Sequence, residues 1–413
     1  MKPTSPLVAS LFANRVLAGL IVGLIAAIAL INAWLFAHPQ WERIRGITDF
    51  QDFYVAGKLV LSGQARCAYE WPCLRHGQLA EFGRWEFMPW SYPPQFTVLV
   101  AGLAVLPHAV AFLVFSLGSF TFLVWMVVKL SGRYAAFPLV LILPAAIVNA
   151  RCGQNGFLTA GLIALFAWLY LRRDDRCGLA LGAMVIKPHL ALALGLLLLL
   201  RRQWLAAAQA IAVVAGTAAL ATVVLGPGIW PAFVRASSES GQHLWNGEFP
   251  LERMTSVFAL FRQAGVSSPL AMGAQLIAAL GLLAGLATLA SQCRDERIVV
   301  AAAVAATLML SPYTYDYDLP IAGVALALIA PIVLERLSGL EALAAGTLSW
   351  LASANFLIIY LAFELVPGLT HHKQVWSVSA LCTFGLGWTL ARALGRTGDT
   401  PEAQASLGIA SPA

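Results

Sequence analysis

Apolar runs of about 20 residues recur along this chain, and they decide what it can fold into. Four of them cover residues 16–36, 205–225, 270–290 and 343–363. A helix of this length crosses the ~30 Å hydrocarbon core of a bilayer. Only 11% of the 413 residues are charged and 60% are hydrophobic, which excludes an ordinary soluble domain with roughly 25% charged residues. The sequence predicts an all-α, polytopic transmembrane helical bundle of roughly 10 to 12 spans.

Two apolar stretches do not fit single straight helices. Residues 92–129 are too many for one span, and Pro107 favours a turn within them. The stretch 178–200 has arginines at both ends and is interrupted by Lys187 and Pro188. Because proline removes a backbone hydrogen bond, we expect a hairpin broken at this point. The bundle is therefore predicted to contain re-entrant or broken helices.

The net charge of +6 reflects membrane orientation rather than nucleic-acid binding. Arginine pairs such as Arg172–Arg173 and Arg201–Arg202 lie at the ends of apolar runs, and the positive-inside rule places such clusters on the cytoplasmic side. Two long segments, about residues 37–92 and 226–269, are then outside. A local disulfide between Cys67 and Cys73 is possible in the first of them if that compartment is oxidising.

One transmembrane domain is predicted over residues 1–396. The remaining residues, 397–413, are rich in Ala, Ser, Gly and Pro. They offer too little apolar surface to pack, so we expect a disordered tail.

The first outer segment carries two carboxylates, Asp49 and Asp52, one helical turn apart and beside aromatic residues. Such a carboxylate can act as a general base. The alternative is that both acids are solvated or cap the start of an outer helix. The spacing alone leaves both interpretations open.

A polar cluster lies between two apolar runs and contains Asn149, Arg151, Gln154 and Asn155. Its hydrogen-bonding capacity favours contact with a sugar or a phosphate, although an ordinary polar turn is the alternative. Lys187 is predicted at membrane depth, where a charge costs on the order of 2.5 to 3.5 kcal/mol and usually faces a cavity or a partner. A lysine that extends to the interface is the simpler explanation.

Residues 311–318 place two acids, Asp316 and Asp318, beside tyrosines that include Tyr315. This composition favours recognition of substrate hydroxyls, against an interfacial aromatic belt with solvated acids. Metal binding is less favoured because no His or Cys joins these residues.

Common nucleotide and hydrolase motifs are missing from the sequence. It contains no P-loop, no Rossmann glycine pattern, no HExxH and no GxSxG. ATP-driven transport, dinucleotide redox chemistry and common hydrolase chemistry therefore have no support.

Short landmarks occur in a definite order, and together they resemble glycosyltransferase family 87. They are Asp49-Phe50 with Tyr54 and Ala56-Gly57, Tyr92-Pro93-Pro94, Gly153-Gln154-Asn155, Lys187-Pro188 with Arg201-Arg202-Gln203-Trp204, and Ser311-Pro312 with Tyr315 and Asp318. The resemblance implies a GT-C-like membrane enzyme that takes a hexose, commonly mannose, from a polyprenyl-phosphate carrier. The sugar would pass to an acceptor hydroxyl outside the cytoplasm.

The family's first-loop acid matches Asp49, which is therefore the expected general base of an inverting transfer. Lys187 and Arg151 are the expected cations at the leaving phosphate. Relatives carry a Trp and a His after the Ser-Pro landmark, where this chain has Tyr315 and acids. That departure leaves the donor-phosphate contact and the sugar open.

The expected substrate-binding residues are the polar members of these landmarks and clusters: Asp52, Tyr54, Tyr92, Arg151, Gln154, Asn155, Lys187, Tyr315, Asp316 and Asp318. We expect no cofactor and no divalent metal. The expected partners are the lipid-linked sugar, a lipid or glycan acceptor and membrane lipids, without nucleic acid. The expected location is a bacterial-type plasma membrane, with the active site on the extracytoplasmic face.

Two rival functions also fit the sequence. A transporter or flippase of lipid-linked saccharides needs broken helices and a buried lysine as well. A non-catalytic scaffold of envelope synthesis would use the same polar residues to bind a partner.

Overall fold

The structure is a computed structural model that describes residues 10–39, 47–334, 336–365 and 377–395. The helices of its first half are α1 (Arg15–Ala37), α2 (Asp49–Leu61), α3 (Trp71–Phe82), α4 (Pro94–Leu103), α5 (His108–Ser131), α6 (Ala136–Leu141), α7 (Leu143–Cys152), α8 (Gly156–Leu171), α9 (Cys177–Ala183) and α10 (Leu192–Leu200). Those of the second half are α11 (Trp204–Leu225), α12 (Ile229–Asn246), α13 (Val257–Gln263), α14 (Ser268–Gln292), α15 (Glu296–Leu310), α16 (Pro320–Val333), α17 (Gly339–Leu365) and α18 (Ser379–Gly395).

The predicted all-α class is confirmed, since the described residues form helices and only one isolated bridge, between Met254 and Tyr315. Five helices in the described part are long and apolar enough to cross a membrane. Four shorter apolar helices accompany them. The predicted count of roughly 10 to 12 spans is not confirmed.

Both predicted helix breaks occur. The stretch after Tyr92 divides into α4, which ends at Leu103, and α5, which begins directly after Pro107. The later stretch divides into α9 and α10, with two 3-10 turns, Met184–Ile186 and Pro188–Ala191, between them. Lys187 lies between these turns, so the chain is irregular at the residue predicted at membrane depth.

The core is built around the middle of the bundle, where apolar residues from α5, α8, α10, α15 and α16 form the largest buried cluster. Small residues let some helices approach closely, as is usual in membrane bundles. At the contact of α9 with α11, a Cβ added to Gly178 would lie 1.9 Å from the carbonyl oxygen of Ala206.

The described residues between α1 and α4, which the sequence predicts to lie outside, are folded rather than a loose loop. Helices α2 and α3 are joined by a 3-10 turn, Ala65–Tyr69, and the disulfide that the sequence left open links Cys67 to Cys73. Aromatic side chains hold α2 on the membrane helices: the ring centroid of Phe53 lies 5.1 Å from that of Phe96. The predicted disordered tail, residues 397–413, lies outside the described residues.

We predict that Gly178→Ala destabilises the protein by about 1–3 kcal/mol, because the added methyl group forces α9 and α11 apart. Gly195→Ala is the matched control in α10, since a Cβ there meets nothing within 4 Å and alanine favours the helix. Thermal unfolding in detergent measures both variants. Equal stability of the two would contradict the close contact.

Candidate active site

Asp49 is the first residue of α2, and its position is fixed from both sides. The backbone N–H of Thr48 donates to Gln51 Oε1 at 2.8 Å, a cap that holds the first helical turn. Gln154 Nε2 donates to Asp49 Oδ1 at 2.9 Å. Asp49 is half-buried, and one oxygen of its carboxylate is held by Gln154.

Gln154 lies in the turn between α7 and α8, and its amide has a fixed orientation. Its Oε1 accepts hydrogen bonds from the Tyr92 hydroxyl at 3.1 Å and from the Asn155 backbone N–H at 2.8 Å. The turn needs Gly153, which has φ +66° and approaches Phe50 so closely that a Cβ would lie 2.5 Å from the Phe50 Cβ. The turn is thereby pressed against α2.

The same turn packs against the acidic tyrosine-rich segment. Asn149 Nδ2 donates to the Tyr317 carbonyl at 2.7 Å. A Cβ on Gly156 would lie 1.8 Å from that carbonyl oxygen, so only glycine permits the contact. Three landmarks that are distant in the sequence, at Asp49, Gln154 and Tyr317, therefore meet.

Lys187 forms a buried ion pair with Asp318, at 2.7 Å between Nζ and Oδ1. The side chains are only 6% and 1% exposed, so this lysine does not extend to the interface. Its ammonium also lies 4.6 Å from the centre of the Tyr317 ring. The Tyr315 backbone N–H donates to the other Asp318 oxygen at 3.2 Å, which ties the ion pair to the tyrosine segment.

Arg253 is a second cation of the site, and sequence reasoning did not single it out. Its guanidinium donates to both oxygens of Asp316, at 3.1 and 3.3 Å, and lies 5.6 Å from the centre of the Tyr317 ring. The segment that carries it pairs with the tyrosine segment, because Thr255 N–H donates to the Thr314 carbonyl at 2.9 Å. No motif marks Arg253, and its only signal was its place in the second outer segment.

The charges of the site influence the protonation of their neighbours. Exclusion of water, together with the charge of Asp49, raises the pKa of Tyr92 well above its ordinary value. Loss of solvent, with Asp49 and Asp318, raises the pKa of Tyr313 to about 12. Both phenols therefore keep their protons and can donate hydrogen bonds at neutral pH. Burial alone would lower the pKa of Arg253, but Asp316 and Asp49 raise it well above its usual range.

In a comparison with known protein families, the family model of glycosyltransferase family 87 matches residues 90–312, more than half of the chain. The chain belongs to glycosyltransferase family 87. It is thus a membrane glycosyltransferase, and the resemblance that the landmarks indicated is confirmed. No curated protein and no solved structure matches it.

Two of the expected substrate-binding residues of this family 87 transferase are engaged elsewhere in the structure. Asp52 is buried and accepts a hydrogen bond from Gln78 Nε2 at 2.7 Å. The Tyr54 hydroxyl donates to the Leu106 carbonyl at 3.1 Å. Neither side chain joins the Asp49–Gln154 pair, and their substrate contact stays a prediction.

Two further expected residues lie beside the pair. Arg151 is half-buried near the end of α7. Asn155 is fully buried, and neither atom of its side-chain amide has a hydrogen-bond partner among the described residues. Their contact with substrate also stays a prediction.

Within the described ranges, no three His, Cys, Asp or Glu side chains are grouped closely enough to hold a metal ion. The acids of the site are instead paired with cations, as Asp316 is with Arg253 and Asp318 with Lys187. The expectation that the transferase needs no divalent metal stays a prediction.

We predict that Asp52 makes the stability of the transferase fall as pH rises. Burial, opposed by the hydrogen bond from Gln78 and reinforced by the charge of Asp49, raises the pKa of Asp52 from 3.8 to about 8. Between about pH 4 and pH 8 the unfolded carboxyl ionises while the folded one keeps its proton, so the stability present at low pH is lost.

Asp52→Asn keeps an oxygen to accept from Gln78 but removes the titration. Its stability advantage over the unmodified protein should therefore grow from pH 5 to pH 8, as measured by thermal unfolding in detergent. A constant difference between the two proteins over this range would show that folding does not raise the pKa of Asp52.

We also predict that Lys187→Met destabilises the protein by about 3–5 kcal/mol, because it leaves the buried charge of Asp318 without its partner. Adding Asp318→Asn removes that charge and should recover part of the loss. Unfolding transitions of the single and double variants measure this. A double variant no more stable than Lys187→Met alone would rule out unpaired charge as the cause.

Proposed function

We propose that this family 87 transferase moves a hexose, with mannose as the expected sugar, from a polyprenyl-phosphate carrier to a hydroxyl of an extracytoplasmic lipid or glycan acceptor. The observation that carries the proposal is the half-buried carboxylate of Asp49. It is held by Gln154 on one oxygen and lies within electrostatic reach of Arg253. A carboxylate that can take a proton and a nearby cation match the two ends of a displacement reaction.

In the proposed step, the acceptor hydroxyl gives its proton to Asp49 while its oxygen forms a bond to the anomeric carbon. The bond between that carbon and the phosphate oxygen breaks on the opposite face. The electron pair leaves with the lipid phosphate, and the anomeric configuration inverts. Fixing Asp49 through Gln154 supports this step, since catalysis depends on holding the base in line with the attacking oxygen.

Charge develops on the phosphate as the bond breaks, and Arg253 and Lys187 supply the positive charge that would stabilise it. Each is already paired with an acid, Asp316 or Asp318, so the cations are held in place before the donor arrives. Arg151, near the same turn, is a further candidate. With a monophosphate leaving group, the proposed reaction uses no metal and no cofactor.

The tyrosines of the site suit the sugar. Tyr92, Tyr313 and Tyr315 lie around the acids, and the rings of Tyr313 and Tyr315 contact each other edge to face at 5.2 Å between centroids. Aromatic faces and neutral hydroxyl donors are suited to binding a hexose. The Cys67–Cys73 disulfide supports an oxidising, extracytoplasmic location for the first outer segment, in keeping with a bacterial-type plasma membrane.

We predict that Asp49→Asn lowers transfer by about 10²–10⁴-fold, because the amide keeps an acceptor for Gln154 but takes no proton. Asp52→Asn makes the same chemical change one turn along α2, at a carboxyl already bonded to Gln78, and shows whether the loss belongs to Asp49 alone. Transfer of radiolabelled hexose from the polyprenyl-phosphate donor by purified protein in detergent is the assay. Near-normal transfer by Asp49→Asn would remove it from the role of base.

A transporter or flippase of lipid-linked saccharides is the second candidate, and the helix break at Lys187 favours it. Such a protein would move the labelled lipid between leaflets of a vesicle without forming a new glycosidic bond. A scaffold would do neither, and the Asp49→Asn variant would then complement a deletion strain fully.

A further inference from the structure

A continuous series of aromatic rings leads from the protein surface to the candidate active site. Each ring centroid lies 5.0 to 6.4 Å from that of the next ring, which is the range of direct aromatic contact. We call this series the aromatic path; from the outside inwards it consists of Trp85, Trp71, Phe87, Phe249 and Tyr313.

Most rings of the aromatic path keep accessible surface. Trp85 is 42% exposed, and Trp71, Phe87 and Tyr313 are half-buried. Phe249 is buried and supports the path by contacting both Phe87 and Tyr313. Neighbouring aromatic side chains that stay partly uncovered beside a functional site are typical of a surface that binds a ligand.

The outer end of the path is held in place. The guanidinium of Arg75 lies 4.1 Å from the centre of the Trp85 ring. Trp71 is the first residue of α3, and the Cys67–Cys73 disulfide closes the short loop that carries it. Rings that are fixed before binding lose little conformational freedom when a ligand arrives, which favours recognition.

Polar groups accompany the rings. The His243 ring lies 5.0 Å from that of Phe87 and contacts the carboxylate of Glu248, whose other oxygen accepts from Asn246 Nδ2 at 2.9 Å. Charges of both signs border the path, because Arg75 lies on Trp85 and Glu248 is exposed. A neutral sugar chain matches this surface: its CH groups pack on ring faces, and its hydroxyls hydrogen-bond to the polar neighbours.

The inner end of the path adjoins the base of the proposed reaction. Tyr313 contacts Tyr315 at 5.2 Å between ring centroids, and the Tyr315 N–H donates to Asp318. The charge of Asp49 contributes to the raised pKa of Tyr313 and of Tyr92, so both phenols lie within its electrostatic reach. In the proposed step the acceptor gives its proton to Asp49. A ligand that extends from Asp49 along the path is therefore the acceptor.

We propose that the aromatic path binds the acceptor, and that the acceptor is a neutral oligosaccharide of several linked sugars whose terminal hydroxyl meets Asp49. The inference rests on the proposed function, because it takes Asp49 as the base. The extent of the path selects this occupant: a lipid with one sugar needs only the inner rings, whereas rings that continue to Trp85 contact further sugars. An interfacial aromatic belt without a ligand is an outcome of the test.

Trp85→Ala tests the outer end of the path at an exposed position. Trp245→Ala is the matched control, since Trp245 is 43% exposed and lies in α12 without a ring contact among the residues that the structure describes. Trp85→Phe keeps an aromatic face and serves as the conservative variant. Thermal unfolding in detergent verifies that all three variants fold.

The first measurement needs no donor and no turnover. Uncharged gluco-, manno- and galacto-oligosaccharides, from monosaccharide to pentasaccharide, are bound to the purified protein in detergent, and affinity should rise with chain length. Trp85→Ala should weaken pentasaccharide binding about three- to tenfold, Trp85→Phe should recover most of that loss, and Trp245→Ala should change nothing. Absence of binding by every oligosaccharide, or equal affinity of Trp85→Ala and Trp245→Ala, would overturn the proposal and leave the rings as an interfacial belt.

The second measurement separates this inference from the proposed function. Radiolabelled hexose is transferred from polyprenyl-phosphate-hexose to the pentasaccharide that binds and to the methyl glycoside of the same sugar. The ratio of the two kcat/KM values should fall in Trp85→Ala and stay constant in Trp245→Ala. Transfer with an unchanged ratio in Trp85→Ala would sink the inference while the proposed function stands. If the pentasaccharide binds through Trp85 but no acceptor receives a sugar, the proposed function fails and the glycan site stands.

Discussion

Two ion pairs inside an apolar bundle are the constraint on which the site depends. Asp318 with Lys187 and Asp316 with Arg253 join three parts of the chain that are far apart in sequence. A charge without water is costly, and a pair is tolerated only where geometry and further hydrogen bonds compensate for the lost hydration. The pairs therefore fix the broken helix at Lys187, the turn at Arg253 and the segment between α15 and α16 relative to one another.

The remaining polar residues assemble around that frame. The turn between α7 and α8 is pressed against Tyr317 through Asn149 and Gly156. Gln154 lies in the same turn and donates a hydrogen bond to Asp49, which holds Asp49 at the start of α2. The carboxylate of Asp49 on α2 is thus placed relative to the two cations, Lys187 and Arg253.

Sequence reasoning was most successful where one local rule decides the structure. The length of the apolar runs predicted the long helices, and Pro107 and Pro188 predicted the breaks. The short spacing of Cys67 and Cys73 was compatible with the disulfide. The predicted number of spans is not confirmed. The length of an apolar run predicts a span only when the run forms one continuous helix, and no such rule applies to stretches that are broken into short helices. Residues 92–129 and 178–200 are such stretches.

The partners of the site residues could not be predicted in the same way. Arg253 lies in an outer segment with no periodicity, and its pairing with Asp316 depends on how two distant loops meet. Asp49 and Asp52 look equivalent in sequence, one turn apart on α2. Only the packing of α3 separates them, because it brings Gln78 to Asp52 and leaves Asp49 to Gln154.

The hydrogen bonds of Gln154 fix which end of its side-chain amide faces Asp49. Its oxygen is occupied by two donors, Tyr92 and the Asn155 backbone, so the end that meets Asp49 can only donate. A carboxylate satisfies that end, whereas a glutamate at position 154 would set two acceptors against each other and a lysine would lose the oxygen. The orientation of the Gln154 amide thus limits which residue types are compatible with positions 49 and 154.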